Sequence, residues 1–245
     1  MSWCDKLAST PMVGLLFVLR HQSSDSILDA LAPLFDSWVD GRKQRFSIEK
    51  QEPFKVEFAT DDGFHYVVDQ QRVTVEFRYG WRVKRQSARA PVPQLQSEPR
   101  PFTALLPRVA ERAIEAANLI NGARPRSLDR IGVVSITNVA EKDAPPGILR
   151  LVEFIQRPWG KQVNHFDIQI AGQIAGSKSD QYSDRCIHFL TKPEDNPDDL
   201  LTVKLDWQRV FPPERVTTGD VLKKYAASAQ NSALEYFEDV GEPAA

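Results

Sequence analysis

Two hydrophobic periods follow one another along the chain, and the series of them is run through twice. "MVGLLFVLR" (12–20) and "RIGVVSITNV" (130–139) are short apolar runs rich in β-branched residues, the pattern of a buried strand. Each precedes a block with apolar residues at helical spacing, "ILDALAPLFDSW" (27–38) and "ILRLVEFIQRPW" (148–159). Ser23, Ser24 and Asp25 are N-cap candidates for the first of these helices, and Pro33 is expected to kink it or delay its start. Pro145 and Pro146 stand where the first turn of the second helix tolerates proline. Strands come next: "FSIEK", "FKVEFAT", "FHYVVD" and "RVTVEFRYG" in the first half, "HFDIQIAGQIAG", "RCIHFLT" and "LLTVKLDWQRV" in the second. Alternation such as Val73-Val75-Phe77 and Phe166-Ile168-Ile170 predicts a sheet with one wet face. A long Ala-rich helix closes each half. Its stripe is Leu105, Val109, Ala113, Ala116 and Ile120, ended by Gly122, in the first half. In the second it is Leu222, Ala226, Ala229, Ala233 and Phe237, with Thr217 and Asp220 spaced as a capping box.

Three blocks therefore recur in the same order at similar spacing: the Ile-Leu…Trp helices, "VTVEF" against "LTVKL", and "LLPRVAERAIEAANLI" against "VLKKYAASAQNSALEY". The expected architecture is α+β, a tandem duplication of a β-α-β-β-β-α unit with a mostly antiparallel sheet and helices packed on one face. The two repeat units are residues 1–122 and 123–245, forming one continuous structural domain, with Trp38 and Trp159 at equivalent helix ends. In element order this resembles the duplicated saddle of TATA-binding protein, a curved sheet with helices on its convex side. "PMVGLLFVLR", "LDRIGVVSITN", "LTVKLDW" and "ALEYFEDV" together resemble a sporadically distributed family of uncharacterised bacterial proteins of about 250 residues. That resemblance spans nearly the whole chain. It implies the same architecture, and the patchy distribution implies a toxin-neutralising or phage-defence accessory role.

Composition narrows the class without naming a function. With 245 residues, 42% hydrophobic and 26% charged, the chain closes a sizeable core without staples. A net charge of −2 argues against a dedicated polyanion binder. Cys4 and Cys186, with no CxxC, give neither a disulfide framework nor a zinc site, and Cys4 reads as a plain terminal thiol. The apolar run Pro11 to Leu19 is too short to span a bilayer and lacks the flanks of a signal peptide. A cytoplasmic protein is expected.

The chemistry-bearing residues are few. His21, His65, His165 and His188 make no HxH or HExxH arrangement. His65 in "FHYVV" and His188 in "IHFLT" hold the same place in their repeats, so a hydrolase or metalloenzyme built on that pair is one reading. A strand histidine is more commonly half-buried with a hydrogen-bond partner. "GQIAGSK" (172–178) lacks the P-loop spacing, and "KPEDNPDD" (192–199) reads as a solvated loop, with a divalent-cation site as the alternative. No cofactor, catalytic residue or metal ligand is assigned.

The charge pattern marks one place. From Arg72 to Arg100 seven Lys or Arg residues stand against two acids, and the second half has no equivalent. If the last strand of the first unit ran on, Arg78, Arg82 and Lys84 would share one side and Tyr79 and Trp81 the other. Arg78, Trp81, Arg82, Lys84 and Arg85 are the candidate partner-binding residues. The expectation is a non-enzymatic binding protein that presents an open sheet face or this basic strand end to a protein partner, one encoded nearby. The alternative is a nucleic-acid binder using Arg78 to Arg89. The competing view of the stretch is a strand end running into a disordered connector.

Overall fold

The computed structural model describes residues 3–6, 10–18, 27–41, 43–79, 81–84, 92–95, 100–122, 127–159, 163, 165–175, 181–194, 199–212 and 219–242. A short α1 (Trp3–Lys6) precedes β1 (Thr10–Val18), α2 (Ile27–Asp40), β2 (Phe46–Glu52), β3 (Lys55–Thr60), β4 (Phe64–Asp69) and β5 (Arg72–Phe77). A hairpin of β6 (Trp81–Lys84) and β7 (Val92–Leu95) leads to α3 (Phe102–Gly122). The second half comprises β8 (Ser127–Ala140), α4 (Pro146–Gln156), β9 (Phe166–Gln173), β10 (Ser183–Lys192), β11 (Leu200–Val210) and α5 (Gly219–Gly241). For β1, β6 and β7 the description is of backbone pairing.

Nine strands form one antiparallel sheet in the order β2-β3-β4-β5-β1-β8-β11-β10-β9. Two four-stranded runs, β2-β3-β4-β5 and β8-β11-β10-β9, therefore lie on either side of β1. At the centre β1 and β8 pair antiparallel, with Gly14 opposite Gly132. The protein is α+β, with its helices on one sheet face: α3 packs on β1 and β5, and α5 on β8 and β11. α2 lies beside α3, and α4 beside α5. No helix among the described residues is long and apolar enough to cross a membrane.

Strand alternation decides which residues meet the helices. Phe64, Tyr66 and Val68 of β4, Val73, Val75 and Phe77 of β5, and Leu201, Val203, Leu205 and Trp207 of β11 are buried, every second residue along each strand. In α5 all five expected stripe residues are buried. In α3 Leu105, Val109, Ala113 and Ala116 are buried, joined by Phe102, Leu106, Ala110 and Ala117. The excess of alanine lets both helices approach the sheet closely. Ser23, Ser24, Asp25 and Thr217, the capping candidates, lie outside the described residues.

Prolines act according to position. Pro33 sits inside a continuous α2, off the buried face made by Ile27, Leu31, Leu34 and Trp38. The carbonyl it leaves without a helical donor is that of Asp29, an exposed residue that water can serve. Pro145 and Pro146 are the N-cap and first residue of α4, as their positions predict. Pro158 ends α4 instead: Arg157–Trp159 is a 3-10 turn, and Trp159 projects outward. Trp38 is 1% exposed and Trp159 is 68% exposed, so the two matching tryptophans close their blocks in opposite environments.

The terminal thiol is not a surface group. Cys4 is buried, its Sγ donates to Leu234 O at 3.3 Å, and the Trp3 and Cys4 amides donate to the Glu238 carboxylate at 3.1 and 2.8 Å. Four residues of α1 fasten against α5 because two of their amides find one carboxylate.

Candidate functional site: a cationic excursion and the cavity at its foot

β5 stops at Phe77, and this corrects the expectation of a strand running on through Lys84. The last ladder contact beyond it is the Arg78 amide donating to Gly63 O at 2.8 Å. β6 then pairs with β7 in a separate two-stranded sheet, with Trp81 opposite Leu95 and Lys84 opposite Val92. Arg78 thus does not share a strand with Arg82 and Lys84. The expected disordered connector is also corrected in part, because residues 92–95 are paired strand. Arg85 and Arg89 lie outside the described residues.

The chain leaves and re-enters the fold at one point. The Tyr79 hydroxyl accepts from the Arg100 amide at 2.8 Å and donates to the Arg100 carbonyl at 3.2 Å. One phenol therefore clasps both ends of the excursion 80–99, and the Tyr79 ring is held edge-on to Phe77 at 5.1 Å. Arg78, the one expected contact residue whose side chain is described, is exposed and ion-paired to Glu76 at 3.1 Å.

Below this clasp is a cavity of about 540 Å³, lined among others by Glu49, His65, Arg78, Tyr79, Arg100 and Arg108. Arg108 lies over the Phe64 ring at 5.6 Å. Asp62, on the same wall, is occupied by Arg112 at 3.2 Å, the Thr60 hydroxyl at 2.7 Å and Gln44 at 3.0 Å. His65 forms part of the cavity floor. Its Nε2 is 3.1 Å from a Glu49 oxygen, yet the contact lacks hydrogen-bond geometry, so both ring nitrogens stay without a hydrogen bond among the described residues.

His65 and His188 are not brought together. β5, β1, β8 and β11 separate β4 from β10, which at about 4.8 Å per strand is on the order of 24 Å, far beyond shared metal ligation or direct proton transfer. They also face opposite sides of the sheet. Phe64 and Tyr66 point at α3 and α2, where Arg112 and Trp38 meet them, so His65 between them points away from the helices. His188 Nε2 meets the Tyr236 hydroxyl of α5 at 2.9 Å. The equivalence inferred from sequence is out of register. Counted outward from the Gly14–Gly132 pair, Val67 through Thr74 matches Arg185 through Gln208, which places His65 level with Ser183.

His188 has the partner expected of a strand histidine, and burial lowers its pKa below 6.5. The neighbouring groups stay neutral: burial, then the Asp206 charge, pushes the Cys186 thiol up to about 12, and burial pushes Tyr236 up to about 12. That thiol is inert. An unfolded chain takes up a proton near pH 6.5 that the folded site resists, so this contribution to stability is present above pH 6.5 and lost as pH falls below it. The expected result is that His188→Gln flattens the decline in urea midpoint between about pH 7 and pH 5. An unchanged slope would show that His188 is not the titrating group.

The other sequence candidates are resolved individually. Lys192 reaches Glu141 at 2.5 Å and Asp199 at 2.6 Å, so an ammonium already sits between two carboxylates at the acidic loop. No group of three or more His, Cys, Asp or Glu side chains among the described residues is arranged to hold a metal ion. His165 is exposed, and His21, residues 176–178 and residues 195–198 lie outside the described residues. No local sequence pattern marks the cavity, because its polar residues come from separate turns, strands and a helix.

The geometry defines an α+β protein with a helix-backed antiparallel sheet and one cationic excursion. Neither a protein-family model nor a curated protein sequence matches the chain. The resemblance to the sporadic bacterial family therefore stands on the quoted segments alone.

Proposed function

We propose that this is a non-enzymatic cytoplasmic binding protein, a tandem duplication of one β-α-β-β-β-α unit, that engages an acidic protein partner through the excursion 80–99. The observation that carries this reading is the clasp of Tyr79 on Arg100, which holds together the two ends of the stretch 80–99, whose sequence carries four cations (Arg82, Lys84, Arg85, Arg89) against one acid (Glu98). A charged group held on a short-rooted hairpin loses less freedom on binding than the same group on a loose connector. The chain as a whole is at −2, so an extended polyanion lying across the molecule would meet repulsion away from the hairpin, whereas a compact acidic patch would not. The duplication is supported by the strand order read outward from the β1–β8 pair, β5-β4-β3-β2 one way and β11-β10-β9 the other. It makes the excursion a feature acquired by the first unit, residues 1–122, and lacking in the second, residues 123–245. A saddle-like arrangement, and the accessory roles in toxin neutralisation or phage defence, belong to the same reading.

The test is retention of partners by the purified protein carrying Arg82→Glu with Arg85→Glu. A stoichiometric protein should co-purify with wild type from the native host, dissociate with rising salt, and be lost at least tenfold in the variant, whose thermal unfolding is unchanged. Retention of DNA or RNA by wild type at about 50 mM salt, with steep salt dependence, would replace this reading with the nucleic-acid alternative. A partner held equally by the variant would move the contact off the excursion.

A further inference from the structure

The two edges of the main sheet are built differently. β2 carries Glu49, Lys50 and Glu52 in exposed positions, with a Lys50–Glu52 ion pair at 2.7 Å, and its register with β3 shifts between Ile48 and Lys50. Charges and such an irregularity keep an open edge from pairing with another chain. β9 has neither guard. Phe166–Gln173 pairs with β10 without a register shift, and its one charged residue, Asp167, accepts from the Thr191 hydroxyl at 3.1 Å. Residues 169–173 are exposed on both faces, Ile170 by 46%. The Ile174 amide donates to Asp184 O at 3.0 Å, toward β10. Alternation along the antiparallel ladder then turns the N–H and C=O of Asp167, Gln169, Ala171 and Gln173 outward, where no backbone group among the described residues meets them.

We propose that β9 is a homodimerisation edge, pairing antiparallel with β9 of a second copy about a two-fold axis through Ile170. The strand is self-complementary in that register. Asp167 faces Gln173 of the second copy and Gln169 faces Ala171, so all four outward residues exchange backbone hydrogen bonds and no carboxylate opposes its own copy. On the other face the two Ile170 side chains meet on the axis, and Ile168 lies opposite Gly172, where no atom stands within 4 Å of a side-chain position. Both strands are already ordered, so this pairing avoids the ordering cost that a free peptide would carry. A net charge of −2 adds little repulsion between copies. The symmetry also closes the assembly, since it consumes both β9 edges and leaves only the guarded β2 edges at the ends of the joined sheet.

Sedimentation equilibrium of the full chain from about 1 to about 200 µM, with amide hydrogen exchange at both ends of that range, tests the assignment. The expected result is a reversible dimer with a dissociation constant on the order of 10 µM, as suits a small interface. Exchange at the Gln169 and Ala171 amides should slow severalfold at the higher concentration, while the Ile168 and Ile170 amides, already bonded to β10, change little. Ile170→Lys sets two ammonium groups face to face on the axis, and Ala171→Pro removes an outward N–H without taking a bond from β10. Each should weaken the dimer at least about tenfold. Phe54→Ser, an exposed apolar change at the β2–β3 turn, should leave it intact. The proposal is overturned if the chain stays monomeric at about 200 µM, or if the dimer is as tight in both β9 variants. Protection of those amides only when a different protein is bound would overturn it too, making the edge a site for a foreign strand. Arg82→Glu with Arg85→Glu should leave the dimer unchanged, so edge pairing and partner binding through the excursion can fail separately.

Discussion

Asp184→Ala is expected to destabilise the fold by about 3–5 kcal/mol, among the largest effects open to a single substitution in this chain. Arg209, on the helix-facing side of β11, is 1% exposed, and its Nε and Nη2 donate to the two Asp184 oxygens at 2.8 Å each. The remaining donors reach α5, with Nη1 to Ser228 Oγ at 2.8 Å and Nη2 to Ser232 Oγ at 3.2 Å. The guanidinium also lies 3.8 Å from the Tyr182 ring centroid and 5.2 Å from that of Trp207. Removing Asp184 leaves this charge buried without its counter-ion, which costs far more than the pair contributes in net stability. Replacing both partners, as in Asp184→Leu with Arg209→Met, is accordingly expected to lie closer to wild type than either single change. Urea unfolding of the three variants at constant slope measures it. A cost below about 1 kcal/mol for Asp184→Ala would mean that water reaches Arg209.

Trp38→Ala and Trp159→Ala, equivalent in sequence, are expected to differ by most of the cost of a large core truncation. Trp38 packs its ring at 5.6–6.3 Å from the centroids of Phe35, Phe46, Phe58 and Tyr66, and its indole nitrogen donates to Glu115 at 3.4 Å. Truncating it opens a cavity between α2 and β3–β4 and should cost about 3–5 kcal/mol. Trp159 stands on the 3-10 turn after α4, 68% exposed and with no ring neighbour among the described residues, and its truncation should stay within about 0.5 kcal/mol. Equal losses in chemical denaturation would show that Trp159 is covered in solution.

Much of the element order was legible because two periods could be told apart. The alternation in "VTVEF" and the alanine stripe of α5 each assign a residue to a face from its immediate neighbours, and both held. Legibility failed where the outcome depended on a distant partner. β5 ends at Phe77 because the chain beyond it pairs with Val92–Leu95 and is tied back by Tyr79 to Arg100, twenty-one residues on. His65 and His188 matched in a linear comparison, but the sheet register is counted from Gly14–Gly132, and an odd-numbered slip exchanges the two faces. The cavity floor at His65 draws its other walls from β2, the β3–β4 turn, the end of β5 and α3, a convergence that no local pattern encodes.

By itself the sequence determined the class of protein, the alternation of strands and helices, the stripes that α3 and α5 bury, and the concentration of cations in one stretch of the first half. These follow from short-range rules, since a side chain's face is set by the period of its own element and a charge count needs no coordinates. The tertiary structure alone decided that β1 and β8 join the halves into one sheet, that Arg209 is buried against Asp184, and that Trp38 is enclosed while Trp159 is bare. It alone brought His65, Arg100 and Arg108, from separate parts of the chain, into the lining of one cavity. Each of those outcomes is a pairing between residues far apart in the chain, and pairing is selected by the packing free energy of the whole sheet and helix layer, which no single segment carries.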